Sequence, residues 1–376
     1  MVRQSSQVGA AHRLVFEVFL FALLAAVSPT ARAQGQPRKS NANSNEGPTD
    51  PKAIKTFQSA LELQKKGEKG WALEGFRKAF KQDNGQCEAC LSRAYNLAMS
   101  IDAYKDAEEI ARQWLPLVQT DSEKALVHYG LAMSLLDQGI LDTKKEKFFT
   151  ESRDEFQQAL ALKPSMARTQ YSLGVSLAYL HQDDEARAAF QHFLDQDTSS
   201  PQIHDRAERF VERVDLARAR MAPAFELTTL DGRHITMDGL AGKVVLIDFW
   251  ATWCGPCREA LPRIRDIARK YQEQPLVVLS ISLDSDDAKW QEFVGKNEMT
   301  WLQYRDGGFG GKISKMFDVT AIPATFSIDA DGVLEDQHVG DASIEGKLRK
   351  MIAHAVEGQN AKPAPPVASQ APGGGN

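Results

Sequence analysis

Asp248-Phe249-Trp250-Ala251-Thr252-Trp253-Cys254-Gly255-Pro256-Cys257 is the stretch that decides how this chain folds. It ends a near-continuous apolar run from Lys243 to Trp250, the pattern of a strand buried on both faces. It leads into Arg258–Tyr271, where apolar positions recur at helical spacing. The string therefore lies where a buried strand ends and a helix begins. At that junction the first cysteine sits beside unpaired backbone N–H groups and the positive end of the helix dipole. Both favour thiolate, so Cys254 reads as a nucleophile with a lowered pKa. Cys257 falls one turn inside the helix, sheltered, yet within reach of a mixed disulfide on Cys254. Gly255 and Pro256 suit a tight helix start, where proline needs no donor. Two other readings of the pair are a permanent disulfide and a zinc half-site. Zinc would need two further ligands, and no His or Cys lies nearby in the sequence.

Outward from that string, Ala224–Leu227 and Asp231-Gly232-Arg233 read as a short hairpin, and Leu276–Leu283 as a second buried strand. A helix is expected around Ala288–Lys296, an extended segment over Thr300–Tyr304 and a helix over Lys312–Phe317. A strand at Ala324–Ile328, a turn at Asp329–Gly332, a strand at Val333–Val339 and a helix at Ile344–Val356 close the chain. Strands alternate with helices and a hairpin comes last, which is an α/β sandwich around a mixed sheet. Pro262 stands five residues after Cys257, and Ile322-Pro323-Ala324-Thr325 lies further on.

Strand, Trp-Cys-Gly-Pro-Cys, Pro262 and Ile322-Pro323 together resemble the thioredoxin superfamily. The resemblance implies that Pro262 kinks the active-site helix by removing an amide. It also implies a cis peptide at Pro323 facing the cysteines, with the Ile322 backbone open to pairing with substrate like an extra strand. The leading hairpin, the Phe249–Cys254 wording and the segment at about Asp284–Phe317 are similar to the TlpA/ResA-like extracytoplasmic thiol–disulfide oxidoreductases. That likeness spans about Ala222–Ala355. Two departures stand out. Where the family often has a glutamate, three residues after the second cysteine, this chain has Ala260, with Glu259 one residue early. Asp248, by contrast, matches the buried aspartate of thioredoxins proper. It reads as a proton acceptor for Cys257, or else as a strand-end carboxylate that caps the helix. Trp253 is expected to be exposed beside the nucleophile and Trp250 to pack.

Gly-Pro between the cysteines is the dipeptide of reducing thioredoxins, so the resemblance implies a reductase of client protein disulfides, such as those of apocytochromes c. Such a reductase draws on an electron donor, expected to be a membrane thiol conduit, and uses no cofactor or metal. Three alternatives compete. A disulfide isomerase or oxidase would need a higher potential. A peroxiredoxin-like peroxidase needs Pro-x-x-x-Thr/Ser-x-x-Cys, and no proline occupies Ile247–Phe249. A repeat-based scaffold with a non-catalytic thioredoxin-like domain would not require Asp248, both cysteines and Pro323 together.

Residues 53 to about 221 read as helical throughout, and the pattern repeats. Ala72, Ala107, Ser152 and Ala186 fall in register at steps of 35, 45 and 34 residues. The first and last steps match the tetratricopeptide period of about 34. The middle one fits with about eleven residues inserted near Leu141–Thr150. Tyr171-Ser172-Leu173-Gly174, followed by Asp184-Glu185-Ala186 and Phe190, resembles the tetratricopeptide repeat, whose small residues let paired helices pack closely. About four such units make a curved surface that binds a protein partner, or a spacer for the domain that follows. The expected fold class is thus an α-helical tetratricopeptide-like solenoid followed by an α/β thioredoxin-like domain at 222–357. Between the first and second repeats lie Cys87 and Cys90, with no preceding strand and no Gly-Pro. They read as a structural disulfide fastening a helix start, as a second redox station, or as metal ligands.

At the N-terminus, Arg3 and Arg13 precede an apolar run from Leu14 to Val27, and Ala31-Arg32-Ala33 offers a cleavage site before Gln34. That order reads as a signal peptide over 1–33, placing the mature protein in the periplasm or otherwise outside the cytoplasm. The alternative is a retained N-terminal anchor, although Glu17 interrupts the run. Residues 34–52 and 358–376 are polar or Pro/Gly-rich and are expected to be disordered. Of 376 residues, 43% are hydrophobic and 25% charged, as in soluble globular proteins. A net charge of −5 with no dense basic block leaves nucleic-acid binding without support.

Overall fold

The computed structural model describes residues 47–142, 146–197, 201–340 and 344–361. The segment read as a signal peptide, most of the 34–52 segment expected to be linker and most of the 358–376 segment lie outside them. Two compact units divide between Ala219 and Arg220.

The first unit is all helix among the described residues: α1 (Pro51–Lys65), α2 (Lys69–Gln82), α3 (Glu88–Ser100), α4 (Tyr104–Trp114), α5 (Asp121–Leu141), α6 (Glu146–Leu162), α7 (Ala167–Tyr179), α8 (Asp183–Gln196) and α9 (Pro201–Glu212). Each helix packs on its neighbours in sequence, as a stack of helical hairpins does. Small residues set the close crossings. A Cβ on Gly174 of α7 would stand 2.7 Å from the Phe190 ring of α8, and one on Gly139 of α5 2.7 Å from Phe149 of α6. The extra residues of the long middle interval lengthen helices. α5 has 21 residues against 13 in α3 and α7, and α6 has 17 against 14 in α8.

Helix α1 starts at Pro51, inside the segment expected to be linker. Asp50 caps it by accepting the Lys52 and Ala53 amides, and Pro51 suits the first turn. The Asp83 carboxylate holds the preceding backbone by accepting the Thr49 and Asp50 amides.

The second unit opens with a hairpin, β1 (Glu226–Thr228) and β2 (His234–Thr236). Then come β3 (Val244–Trp250), α10 (Gly255–Lys270), β4 (Leu276–Ser282), α11 (Asp287–Lys296) and β5 (Leu302–Arg305). α12 (Lys312–Met316), β6 (Ala324–Ile328), β7 (Leu334–Val339) and α13 (Glu345–Ala361) complete it. The sheet order is β5-β4-β3-β6-β7. β3 runs parallel to β4 and antiparallel to β6, giving the mixed sheet expected of a thioredoxin-like fold. Every residue of β3 is buried because helices cover both faces of this central strand. Val244 and Leu246 pack with Ile264 and Ile267 of α10 and Leu348 of α13. Val245, Ile247 and Phe249 face Ile313, Phe317 and Phe326. α13 continues to Ala361, past the boundary at 357 read from composition.

Candidate active site

β3 ends at Trp250, and four residues later Cys254 caps α10 with φ −85° and ψ 106°. Its Sγ accepts the Cys257 amide at 3.2 Å, taking the place a Ser or Asp oxygen fills at other helix starts. Gly255 and Pro256 form the first turn, where the missing proline N–H leaves no acceptor unsatisfied. Cys254 and Cys257 are joined in a disulfide with Cα atoms 5.3 Å apart, and both residues are buried. Pro262 lies inside α10.

The peptide bond before Pro323 is cis. This loop brings the Ile322 carbonyl oxygen to 4.0 Å from Cys254 Sγ, although the two residues are 68 apart in sequence. Pro323 is buried and Ile322 half-buried. Trp253 is 60% exposed beside the cysteines, whereas Trp250 is 3% exposed and packs on Phe293 with ring centroids 5.4 Å apart. The two tryptophans thus divide as their positions suggested: one follows the strand end into solvent and one stays in the core.

Strand alternation places Asp248 on the Val244/Leu246 face, which α10 covers. It is buried, and it pairs in register with Ser280 on β4 and Thr325 on β6. The Ser280 hydroxyl donates to Asp248 Oδ2 at 3.3 Å. Burial pushes the Asp248 carboxyl up to about 7; the Ser280 hydrogen bond and the Arg263 charge oppose that shift without cancelling it. The cap of α10 is Cys254, so helix capping is not what Asp248 does. Glu259 is exposed and Ala260 half-buried, so neither puts a buried carboxyl in α10.

Asp284, Ser282, Ser280 and Trp301 contribute without having been legible in the sequence. Asp284, just past β4, accepts the Thr252 amide at 2.9 Å and the Thr252 hydroxyl at 2.6 Å, tying down the loop ahead of Cys254. Ser282 donates to the same carboxylate at 2.6 Å. Behind Ser280, the Trp301 indole N–H donates to the Ser280 oxygen at 2.8 Å. The pairing of β3, β4 and β5 brings these groups to the site.

Cys87 and Cys90 are not brought to this site; they lie in the helical unit. Cys87 caps α3 and its Sγ accepts the Cys90 amide at 3.1 Å. The two form a second disulfide, packed with Ala79, Phe57 and Phe80.

Residues 219–337, which contain the whole site, match the AhpC/TSA family. The thiol-disulfide oxidoreductase ResA of Bacillus thuringiensis (strain Al Hakam) is 30% identical over 145 residues, 38% of this chain and 83% of that protein. The chain belongs to the ResA-type thiol–disulfide oxidoreductases. It is also similar to the thioredoxin-like protein YneN of Bacillus subtilis (strain 168), 31% identical over 134 residues, 34% of this chain and 75% of that protein. Among solved structures, a thiol-disulfide oxidoreductase from Bacteroides fragilis NCTC 9343 is 25% identical, covering 35% of this chain and 98% of that one, with a TM-score of 0.33. The Cys254/Cys257 unit is therefore a thiol–disulfide oxidoreductase domain whose activity is disulfide exchange.

Proposed function

We propose that this oxidoreductase works outside the cytoplasm and reduces client protein disulfides. Cys254 attacks, Cys257 resolves and Asp248 takes the proton. The observation that carries this reading is the cap of α10, with the cysteine pair at the helix start and the Ile322 carbonyl 4.0 Å from Cys254 Sγ. In the reduced enzyme the helix terminus favours Cys254 as thiolate. The thiolate attacks a client disulfide; one client sulfur leaves as thiolate and the other joins Cys254. Cys257 then loses its proton to the Asp248 carboxylate and attacks Cys254 Sγ. The Cys254–Cys257 bond forms, the Cys254–client bond breaks, and the client departs with both sulfurs reduced. A buried acceptor with a carboxyl pKa of about 7 suits that transfer near neutral pH. The Ile322 carbonyl on the cis-proline loop and the exposed Trp253 offer the client strand-like pairing and an apolar contact.

The helical repeats supply a surface for a protein partner, in keeping with their stacked hairpins and with Trp71, 71% exposed on α2. The Cys87–Cys90 disulfide is a staple for the start of α3. Its cysteines are buried and packed with Ala79, Phe57 and Phe80, in keeping with a structural role. Export by an N-terminal signal peptide and recharging by a membrane thiol donor complete the scheme; no described helix is long and apolar enough to cross a membrane.

The test is the equilibrium reduction potential of Cys254/Cys257 against a thiol redox buffer, with Cys87 and Cys90 replaced by Ser. A value near the thioredoxin end, about −270 mV, supports the reductase. A value near about −120 mV overturns it in favour of an oxidase or isomerase.

A further inference from the structure

Directly beside Asp248 in the parallel register of β3 and β4 stands Ser280, a fully buried serine on a strand otherwise built of apolar residues and Ser282. A buried hydroxyl is retained without loss of stability only when its hydrogen-bonding capacity is met. Here it is met on both sides: Trp301 Nε1 lies 2.8 Å from Ser280 Oγ, and Asp248 Oδ2 lies 3.3 Å from the same atom.

The chemistry of the three groups gives this short chain a direction. An indole N–H can only donate, so Ser280 must accept from Trp301. One lone pair is then occupied, and the hydroxyl proton turns to the remaining partner, Asp248. An ionised carboxylate can only accept, so the match is complete when Asp248 is charged. Trp301 thereby biases the hydroxyl toward the state in which Asp248 can take a proton. Trp301 itself is held by the fold: it immediately precedes β5 and packs against the apolar clusters on both faces of the sheet.

We propose that Ser280, with its hydroxyl oriented by the Trp301 indole, is a positioning residue for disulfide exchange that holds the Asp248 carboxylate charged and fixed on the face covered by α10. The proposal rests on the reading of Asp248 as proton acceptor for Cys257. Without the donated hydroxyl, burial acts on the carboxyl with less opposition, and Asp248 stays protonated to higher pH. It then cannot receive the Cys257 proton at neutral pH, and resolution of the mixed disulfide slows. Arg263 of α10 is a charged group set against the carboxyl, acting in the same direction as Ser280. Thr325 pairs with Asp248 from β6, and it contributes no charge.

The experiment uses the reduced full-length chain with Cys87 and Cys90 replaced by Ser, mixed rapidly with dithiobis(nitrobenzoate). Cys254 thiolate attacks the reagent, releases one nitrothiobenzoate and keeps the other as a mixed disulfide. Cys257 then displaces the second nitrothiobenzoate as the Cys254–Cys257 disulfide forms. The first release reports Cys254, and the second reports resolution. Their pH profiles are compared for the parent, Ser280→Ala, Ser280→Thr, Trp301→Phe and Asp248→Asn.

For Ser280→Ala we expect the second-phase midpoint to rise by about one pH unit, the scale of a hydrogen bond to a charged group. At pH 7 that slows the second phase about fivefold. Trp301→Phe shifts the midpoint the same way by less, and Ser280→Thr, which keeps the hydroxyl, restores it. A merely structural role would alter rates or folding without moving the midpoint. If Ser280→Ala gives the parent profile while Asp248→Asn slows the second phase, the positioning role falls and the Asp248 reading stands. If Asp248→Asn leaves the second phase unchanged, the Asp248 reading falls and takes the positioning role with it.

Discussion

Replacing Asp248 by Asn removes one buried ionisation and leaves the shape of the side chain. The fold raises this carboxyl from 3.8 to about 7, chiefly through burial. A tenfold change in proton affinity corresponds to about 1.36 kcal/mol, so ionising Asp248 in the folded protein destabilises it by about 4 kcal/mol relative to the unfolded chain. The side chain is nearly fully buried, so solvent screening reduces that figure little. Because the folded pKa is the higher one, the folded state binds more protons than the unfolded state between about pH 4 and pH 7. Parent stability therefore falls as pH rises through that window, and the whole loss is present above it. Asn carries no such proton, and its amide oxygen can still accept from Ser280. The stability difference in favour of Asn should be small near pH 4. It should grow by about 1.4 kcal/mol per pH unit between pH 5 and pH 6.5, and level off near 4 kcal/mol by pH 8. Denaturant unfolding of the oxidised protein, followed by tryptophan fluorescence at a series of pH values, measures it. The helical unit is common to both proteins, so its contribution cancels in the difference. A difference that stays flat from pH 4 to pH 9, or an Asn variant less stable than the parent at pH 8, would refute the burial argument.

Two further predictions concern the second disulfide and the loop ahead of Cys254. Replacing Cys87 and Cys90 by Ser together should lower the stability of the helical unit by about 2 kcal/mol, as expected for a short closed loop, while exchange through Cys254/Cys257 continues at its normal rate. Thermal unfolding and turnover of a model protein disulfide check both halves, and a fall in turnover would instead mark the pair as a relay. Asp284→Asn should weaken charge-assisted hydrogen bonds to the Thr252 amide and hydroxyl, by about 1–3 kcal/mol locally. Amide hydrogen exchange at Thr252 should then accelerate and the attack by Cys254 should slow; protection equal to the parent's would show that Asp284 does not hold the loop.

Local chemistry made much of this protein readable from sequence. An apolar run followed by Cys-Gly-Pro-Cys and helical spacing can form little except a buried strand and a capped helix, because alternation, capping and proline geometry act over a few residues. Repeats were legible for the same reason: Gly174 and Phe190 belong to one helical hairpin, and their spacing records a close crossing. Boundaries were less secure. The cap at Asp50 and the run of α13 to Ala361 both lie in segments whose composition reads as disordered.

What sequence alone determined is the chemistry-bearing string, the order of elements and the carboxyl at Asp248. What the tertiary structure decided is the company those residues keep. Ser280 meets Asp248 across 32 residues and Trp301 reaches Ser280 across 21, while Asp284 holds Thr252 across 32. None of these pairings has a local signature, because each depends on which strands lie side by side and in what register. Burial of Cys87 and Cys90 beneath Phe57 and Phe80 is likewise a product of packing. Two Cys-x-x-Cys pairs with the same spacing and the same helix-cap geometry differ in what surrounds them, and only the folded chain supplies the surroundings.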